Sequence, residues 1–284
     1  MFYITVLRMY RFIIILCLLL SAGCTTQPKK PLSPEPMAIT LLADIQYGDE
    51  PVKGLLHYRA AQRKLAEAVA DLNQQDLDFA VQVGDLLDGY PEDPNRSLQD
   101  FETIFPILQG LTVPCYHVVG NHCITVGRET LLQRLGLKRA YYDFTHPALP
   151  GWRCVVVDGT EAGNGQIGPI QLAWLRATLT RAAAQREQVL CFCHFAVAPE
   201  AARHGMTDPE PILEVLDETG CVRAWFAGHD HGGGYAERRG VHHVTLHGMI
   251  ETASETSYAV LEISPNELRL KGVGREPNCL LPLP

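Results

Sequence analysis

Short apolar runs alternate with amphipathic stretches from residue 37 onward, a pattern typical of a domain built from layers of strands and helices. Near the C-terminus, residues 233–272 are predicted to form consecutive strands, with turns at residues 239–240 and 264–266. The other strands are predicted at residues 37–43, 77–83, 113–119, 152–157, 188–194 and 221–227. The pattern shows no internal repeat and no linker to a second domain.

Three helices are predicted from the spacing of apolar residues. The first covers residues 57–73, where leucine and valine recur at spacings of three and four. The second covers residues 98–108, with an interruption expected near Pro106 because proline removes a backbone donor. The third begins at Pro169, a residue type that suits the first turn of a helix.

The N-terminal residues have the pattern of a secretory signal. Arg8 and Arg11 precede an unbroken apolar stretch at residues 12–20. At about 1.5 Å per residue this stretch is too short to cross roughly 30 Å of hydrocarbon. The small residues before Cys24 resemble the cleavage box of bacterial lipoproteins, in which the cysteine is lipidated. We therefore expect a lipoprotein-type signal peptide at residues 1–23 and export to the bacterial cell envelope, with a secreted protein or an uncleaved anchor as the alternatives.

The residues that follow predict a tether and an acidic domain. Residues 24–36 contain four prolines, a composition typical of a stiff tether, with a disordered leader as the alternative. The folded domain is then expected at residues 37–284. Removal of residues 1–23 takes away two of the 24 basic residues and none of the 32 acidic ones, which leaves a net charge of about −10. This charge disfavours nucleic acid as a partner, and an anionic substrate would need a local cation.

Side chains rich in carboxylate, amide and imidazole groups follow directly after the predicted strands. Loops at strand ends usually carry the chemistry of such a scaffold. Any one fragment is explained by turn formation, since Gly, Asn and Asp stabilise turns, but five in order are not. The five are Asp44-Ile45-Gln46, Gly84-Asp85-Leu86-Leu87-Asp88, Gly120-Asn121-His122, His194 and Gly228-His229-Asp230-His231.

Seven of these side chains predict a site for two metal ions. They offer only oxygen and nitrogen, which suits divalent Mn, Fe or Zn, and the lack of cysteine argues against a structural zinc site. Two ions about 3.5–4 Å apart need a bridging carboxylate, for which Asp85 is the natural candidate. His229 and His231 can contact different ions if their loop is irregular, as its glycines allow. The seven are Asp44, Gln46, Asp85, Asn121, His194, His229 and His231.

The ordered set resembles the calcineurin-like metallophosphoesterase superfamily. The resemblance implies an α+β fold in four layers, αββα, with two face-to-face mixed β-sheets flanked by helices. Within the superfamily the sequence is similar to the manganese-dependent ADP-ribose/CDP-alcohol diphosphatases from about residue 37 to residue 277. Gln46 is the sharpest discriminator, because most superfamily members have histidine there. The other matching fragments are residues 43–47, 84–89, 226–235, 240–246, 250–252 and 271–275.

The resemblance also implies how the residues divide the work. One ion would be held by Asp44, Gln46, Asp85 and His231, and the other by Asp85, Asn121, His194 and His229. The amide oxygen of Gln46 makes the first site harder, which favours Mn²⁺. A water that bridges the ions would lose a proton and attack phosphorus in line. His122 would protonate or stabilise the leaving oxygen, oriented by Asp88, whose alternative role is that of a loop-capping carboxylate.

The expected activity is hydrolysis of the pyrophosphate bond of ADP-ribose-like or CDP-alcohol-like nucleotides by a monomer. A phosphodiesterase or phosphomonoesterase of other specificity is the first alternative. It is motivated by residues 159–165, where the subfamily carries a longer insertion, and by His247, where the subfamily has glutamate. A non-catalytic lipoprotein that binds metal or nucleotide is the second. It is motivated by Cys123, because loss of the subfamily's glutamate there is expected to weaken His122 as an acid.

Four further residues are candidates for a nucleotide pocket because they lie near the motifs. Packing or turn roles are the equal alternative for each of them. Asp230 is expected to support the site from behind or to lie at the surface, since alternation along the loop turns it away from its two histidine neighbours. The four pocket candidates are Tyr47, Tyr235, His243 and Arg275.

Overall fold

A computed structural model describes residues 37–284 of the chain. The predicted signal peptide, the tether and Cys24 lie outside the described residues. Within residues 37–284, no helix combines the length and the apolar character that a membrane span requires.

The described residues contain two six-stranded sheets. The first has the order β12-β11-β10-β1-β2-β3, formed by β1 (Met37–Leu42), β2 (Phe79–Gln82), β3 (Cys115–His117), β10 (Ser257–Ile263), β11 (Glu267–Gly274) and β12 (Cys279–Pro282). The second has the order β4-β5-β6-β7-β9-β8, formed by β4 (Tyr142–Phe144), β5 (Trp152–Val157), β6 (Gln188–Cys193), β7 (Val222–Ala227), β8 (Gly232–Arg238) and β9 (Val241–His247).

Helices cover the outer faces of both sheets. They are α1 (Ala60–Leu72), α2 (Pro94–Leu108), α3 (Arg128–Arg134), α4 (Pro169–Ala184) and α5 (Glu210–Thr219). Short 3₁₀ turns lie at Cys123–Val126 and Pro199–Ala201.

Three buried apolar clusters define the layers. Between the sheets, Leu41 of β1 belongs to the same cluster as Phe226 of β7. On the outer face of the first sheet, Leu65 of α1 and Phe101 of α2 share a cluster with residues of β1 and β2. On the outer face of the second sheet, α4 and α5 pack against β6 and β7 around Trp225. The order helix, sheet, sheet, helix confirms the expected four-layer αββα architecture.

Parallel pairing directs several strand ends to the same edge of each sheet. β1, β2 and β3 are mutually parallel neighbours, and so are β5, β6, β7 and β9. The carboxyl ends of these strands therefore meet at one edge, where an open sheet of this kind usually places its ligand site. The polar fragments identified in the sequence follow five of these strands.

Local structure departs from the expected pattern in two ways. Helix α2 runs without interruption through Pro106 to Leu108, and it begins at Pro94 because the Asp93 side chain accepts a hydrogen bond from the backbone N–H of Arg96 at 3.1 Å. Burial of Ile104 and Leu108, which flank Pro106 on one face, holds the last turn despite the lost donor. The elements β4, β12, α3 and α5 have no counterpart in the sequence expectation, and three of them are only three to seven residues long.

Candidate metal centre

The loops after β1, β2 and β7 carry five of the seven predicted ligands, and the backbone is strained at four of them. Asp44, Gln46, Asp85 and His229 have φ values of 49°, 43°, 50° and 69°. Positive φ is uncommon for residues other than glycine, and such strain collects at functional sites. The first two loops are joined, since Asp44 N–H donates to the carbonyl of Gly84 at 3.2 Å and Gln46 N–H donates to that of Asp85 at 2.9 Å. Adjacent strand ends therefore hold these ligands in one group.

Ligand atoms from distant parts of the chain lie close together. Those of Asp85, His194 and His229 are within 4.8 Å of one another. Asp85 Oδ2 is 2.9 Å from His194 Nε2, and Asp44 Oδ1 is 3.6 Å from His231 Nε2 and 3.9 Å from His194 Nε2. The structure thus brings carboxylates from the first sheet against imidazoles from the second, as a site shared by two ions requires.

Two predicted ligand atoms, Gln46 Oε1 and Asn121 Oδ1, are buried without a hydrogen-bond partner, and two more, Asp85 Oδ2 and His194 Nε2, are buried with each other as partner at 2.9 Å. Each unsatisfied buried group costs about 1–3 kcal/mol, so their accumulation in one place needs an explanation. His194 presents Nε2 because its Nδ1–H donates to the carbonyl of Val83 at 3.0 Å. Divalent cations would satisfy all four atoms, and the donor set therefore fits the metal ions that the sequence predicts.

Glycines in the motifs leave room for the ligand side chains. A Cβ atom at Gly84 would lie 2.2 Å from Nδ1 of His194, and one at Gly120 would lie 2.1 Å from Oδ1 of Asp85. At Gly228 the distance to Oδ2 of Asp44 would be 2.6 Å. No larger residue fits these three positions without moving a ligand.

Burial and mutual contact set the charges of the metal-free site. Burial raises the pKa of Asp44 to about 6, against the opposing charges of His194 and His231. Burial alone would raise the pKa of Asp85, but His194 lowers it to about 2, and Asp85 in turn raises the pKa of His194 to about 9 against the effect of burial. Burial, followed by repulsion from His194, lowers the pKa of His229 to about 4. A metal ion must therefore displace the proton that Asp85 holds on His194.

His122 lies at the edge of this group with its ring half exposed. Its backbone N–H donates to Asp85 Oδ1 at 2.9 Å, which fixes the residue beside the ligands. Its Nδ1 lies 2.5 Å from the backbone carbonyl of Asp88 and 3.4 Å from the Asp88 carboxylate. A carbonyl oxygen can only accept, so Nδ1 carries a proton and Nε2 is left to face a substrate. Burial raises the pKa of Asp88.

Cys123 faces away from the imidazole of the preceding residue. Its side chain is 4% exposed within the apolar cluster under α1 and α2, and its Sγ accepts a hydrogen bond from the backbone N–H of Leu86 at 3.2 Å. Burial, followed by the charge of Asp85, raises the pKa of this thiol to about 12. The thiol is therefore neutral and supports the loop after β2, and the weakening of His122 by the missing carboxylate at this position stays a prediction.

The four nucleotide-pocket candidates do not form one group. Tyr47 is 8% exposed and packs in the apolar cluster under α1 and α2. Tyr235, on edge strand β8, is 47% exposed and pairs its hydroxyl with Nδ1 of His242 at 3.0 Å. His243 is buried within β9 opposite Trp225. Of the four, Arg275 is the one whose side chain contacts a residue beside the ligands, Glu251, at 2.6 Å.

Three residues near the ligands were not identified from the sequence as parts of the site. Glu251 lies 3.9 Å from His231 Nδ1 and 2.6 Å from Arg275; the available signal was its place in a motif fragment. Asp230, the residue between His229 and His231 in the sequence, is buried. Arg203 binds it, with Nη2 at 2.6 Å from Oδ1. Lys64 is fully buried on α1. Its position three residues after Ala61 and four before Ala68, on the apolar face of the helix, was the sequence signal of its burial.

Comparison with known proteins identifies the family. The profile described as calcineurin-like phosphoesterase matches residues 37–233. The chain belongs to the calcineurin-like phosphoesterase family. Together with the ligand group, this membership makes it a metal-dependent phosphoesterase, that is, a hydrolase.

Several members of this family are similar to the chain over most of its length. A protein of Oryza sativa named manganese-dependent ADP-ribose/CDP-alcohol diphosphatase is 30% identical, with 84% of this chain and 92% of that protein covered. The human protein of the same name is 26% identical, with 85% and 91% covered. A solved structure of a dimetal phosphatase from Danio rerio aligns with a TM-score of 0.80 and 27% identity, over 88% of this chain and all of the other.

Proposed function

We propose that this protein hydrolyses the pyrophosphate bond of ADP-ribose-like or CDP-alcohol-like nucleotides with two divalent ions, Mn²⁺ being the preferred metal. The observation that carries the proposal is Gln46. Its side-chain amide oxygen is buried and unpaired, its backbone N–H donates to the carbonyl of Asp85 at 2.9 Å, and an amide oxygen is a harder ligand than imidazole. The names of the relatives in rice and in humans support the same substrate class and the same metal. Fe and Zn are the alternative metals.

The chain offers one set of ligands to each ion. When bound, the ions supply the positive charge that activates a water molecule and neutralises the phosphate oxygens. This local positive charge also attracts an anionic substrate and so offsets the long-range repulsion from the acidic protein. Asp44, Gln46, Asp85 and His231 would hold one ion, and Asp85, Asn121, His194 and His229 would hold the other.

His122 supplies the proton for the leaving group in this proposal. Its Nδ1–H donates to the carbonyl of Asp88. Rotation of the ring would break that hydrogen bond, so the ring orientation is fixed. Nε2 is then the nitrogen that exchanges a proton with the departing phosphate oxygen. The Asp88 carboxylate, 3.4 Å from Nδ1, faces the positive charge of the doubly protonated ring. For ADP-ribose the products would be AMP and ribose 5-phosphate.

A phosphodiesterase or phosphomonoesterase of other specificity is the second candidate, favoured by the segment after β5. Residues 161–164 are exposed, and the segment is closed off by a bridge between Thr160 and Gln166. Arg128 ties its start down, with Nη2 at 2.7 Å from the carbonyl of Thr160. So short and tethered a segment supports a site that is more open on the side where a nucleoside would bind.

A substrate panel tests these readings. Metal-free full-length protein would be assayed with Mn²⁺, Mg²⁺ or Zn²⁺ against ADP-ribose, CDP-choline, cyclic nucleotides and p-nitrophenyl phosphate. The proposal expects Mn²⁺-dependent release of AMP from ADP-ribose or of CMP from CDP-choline at the highest kcat/KM of the panel. Faster turnover of a cyclic nucleotide or of the monoester would favour the second candidate. Binding of two ions with no turnover of any compound would favour the non-catalytic binding protein.

We further infer that the protein is exported and anchored by a lipid on Cys24, with residues 25–36 as the tether. Two arginines before a short apolar stretch and small residues before the cysteine support this inference. Cell fractionation and mass spectrometry of the N-terminal peptide test it. An acylated peptide that begins at Cys24 is expected in the membrane fraction, and a cytosolic protein with its N-terminal residues intact would contradict it.

A further inference from the structure

The fully buried side chain of Lys64 holds the segment between β9 and β10, residues 248–256, in place. Its Nζ contacts the carbonyl of Met249 and donates to those of Glu251 and Thr252 at 3.1 and 2.9 Å. An ammonium has three protons, so the three carbonyls use all of its donors. Burial lowers the pKa of Lys64 to about 8. An amine removed from water in this way stays charged at neutral pH because it is fully hydrogen-bonded.

The segment that Lys64 holds is itself strained. Thr252 has a φ of 68°, a backbone conformation that costs a β-branched residue of order 1–3 kcal/mol. Its hydroxyl donates to the carbonyl of Glu255 at 2.9 Å. The contacts to Lys64 therefore hold the backbone of this segment in an arrangement that it would not adopt alone.

The strained segment carries Glu251, whose carboxylate stands behind a predicted ligand. Its Oε1 is 3.9 Å from His231 Nδ1, and its Oε2 is 2.6 Å from Nη2 of Arg275. Arg275 Nη1 donates to the carbonyl of Gly248 at 3.2 Å, and Gly248 N–H donates to the carbonyl of His231 at 3.1 Å. A Cβ atom at Gly248 would lie 2.8 Å from the His231 ring, so the backbone there packs directly on the imidazole.

One of the two histidines of the other ligand set, His194, has a different support. Its Nδ1 donates to a backbone carbonyl, that of Val83. Among the ligand histidines within residues 37–284, His231 is the one with a carboxylate close to Nδ1, and its Nε2 is turned toward Asp44 Oδ1. At 3.9 Å the Glu251 carboxylate is longer than a hydrogen bond from His231 Nδ1, but its negative charge raises the basicity of the imidazole. Where a carboxylate hydrogen-bonds to a metal-binding histidine, its loss typically costs 10- to 100-fold in metal affinity, which sets the upper range expected here.

We propose that Glu251, held in place by Lys64 and Arg275, is a positioning residue for His231 and selectively strengthens the binding of the ion held by Asp44, Gln46, Asp85 and His231. This inference rests on the two-ion function proposed above. It separates the two sites, because the ion held by Asn121, His194 and His229 receives no support from this segment. The Glu251→Gln variant keeps the shape of the side chain and removes its charge, so it isolates the effect.

Mn²⁺ titrations of the metal-free full-length protein, followed by calorimetry and by the electron paramagnetic resonance signal of free Mn²⁺, test the proposal. Wild-type protein should bind two ions. In E251Q one ion should bind about 10- to 100-fold more weakly while the other changes less than about threefold. E255Q, which neutralises an exposed glutamate of the same segment, is the matched control and should bind both ions as the wild type does.

Two further variants make the result specific. His231→Ala combined with E251Q should show little loss beyond that of His231→Ala alone, because both act on one ion. Lys64→Met should weaken the same ion, whereas Arg63→Met should not, although Arg63 binds the same segment from outside through the carbonyl of Ala253 at 2.9 Å. If Lys64→Met fails to fold, E251Q alone decides the matter.

The outcomes separate the two proposals. Equal weakening of both ions in E251Q, or no weakening of either at an unchanged thermal midpoint, would overturn the role given to Glu251. Absence of any Mn²⁺ binding to the wild-type protein would instead overturn the proposed function.

Discussion

Single ring nitrogens determine which atoms of the site can act on a substrate. In His194 and His122 alike, Nδ1 lies against a backbone carbonyl, at 3.0 Å from Val83 and at 2.5 Å from Asp88. Both rings are thereby held with Nε2 toward the site. For His194 this nitrogen is buried against the carboxylate of Asp85, at 2.9 Å, whereas the His122 side chain is 37% exposed.

This difference leads to a prediction for His122. His122→Ala should lower kcat by about 10²- to 10⁴-fold, the range for loss of a general acid, while two Mn²⁺ ions still bind. Asp88→Asn should cost less, because the carbonyl that holds Nδ1 belongs to the backbone and remains. Steady-state kinetics with a parallel titration of Mn²⁺ measure both. An unchanged kcat in His122→Ala rejects the proposed role.

A second prediction concerns Gly120. Gly120→Ala should displace Asp85, because the new Cβ would lie 2.1 Å from its Oδ1 and 2.4 Å from its backbone nitrogen. We expect a loss of about 1–3 kcal/mol in stability and weaker binding of both ions, since Asp85 belongs to both ligand sets. Gly240→Ala is the control: it has a positive φ of 78° but open space around its Cβ, so Mn²⁺ affinity should not change. Calorimetric titration that shows equal affinities for both variants would contradict this account.

At the scale of elements, the parallel strands bring the site residues together at one edge of each sheet. One of these strands, β3, lies at the edge of the first sheet. β3 leads through residues 118–120 to Asn121 and His122. His117, its last residue, is 7% exposed, and its Nδ1 has no hydrogen-bond partner. Burial lowers the pKa of His117 to about 4 from an ordinary value of 6.5. The strand that leads to Asn121 and His122 therefore contains an imidazole whose protonation would destabilise the folded protein.

The buried His117 predicts a pH dependence of stability. Between pH 6.5 and about 4 the unfolded chain binds a proton at this residue and the folded chain does not, so the free energy of unfolding falls as the pH falls. The loss should approach about 3 kcal/mol at the lower end of this range. His117→Phe should reduce the slope of stability against pH in this window. Urea unfolding at pH 7, 5.5 and 4.5 would measure it, and identical slopes would refute the prediction.

For the whole molecule, the metal ions should contribute to stability as well as to catalysis. The site lies where the two sheets meet, with ligands from β1 and β2 on one side and from β6 and β7 on the other. Two of its buried oxygens, Gln46 Oε1 and Asn121 Oδ1, have no hydrogen-bond partner from the protein. Ions that bind only the folded state therefore join the two sheets and stabilise the fold.

Chelation tests this role. Mn²⁺ at about 100 times its dissociation constant should add about 2.7 kcal/mol per occupied site to the free energy of unfolding. For a domain of this size, each site should then raise the thermal midpoint by roughly 5–10 °C. EDTA should reverse the shift, and Asp85→Asn should abolish most of it because both ligand sets lose a carboxylate. Differential scanning calorimetry measures all three. A midpoint that does not respond to Mn²⁺ in the wild-type protein would contradict the two-ion site.

The order of motifs along the chain determined the layered class of the domain and the candidate ligands, because strand periodicity and strand-end position are local properties of a sequence. The αββα architecture was expected from the resemblance to a family and is confirmed. The structure brings together the side chains of five of the seven predicted ligands, Asp44, Asp85, His194, His229 and His231. Short or edge elements such as β4 and α3 were missed because they bury too few residues to leave a periodic signal. Pro106 was expected to interrupt a helix whose packing in fact maintains it.

Only the tertiary structure decided what stands behind the ligands. Lys64 and Glu251 are 187 positions apart in sequence, and neither shows by its spacing that an ammonium will hold the backbone of a carboxylate that faces His231. The orientation of Cys123 toward Leu86 rather than His122 was equally hidden. Hydrogen bonds between distant segments depend on how sheets and helices pack in three dimensions, whereas ligand types and their order are written in the chain itself.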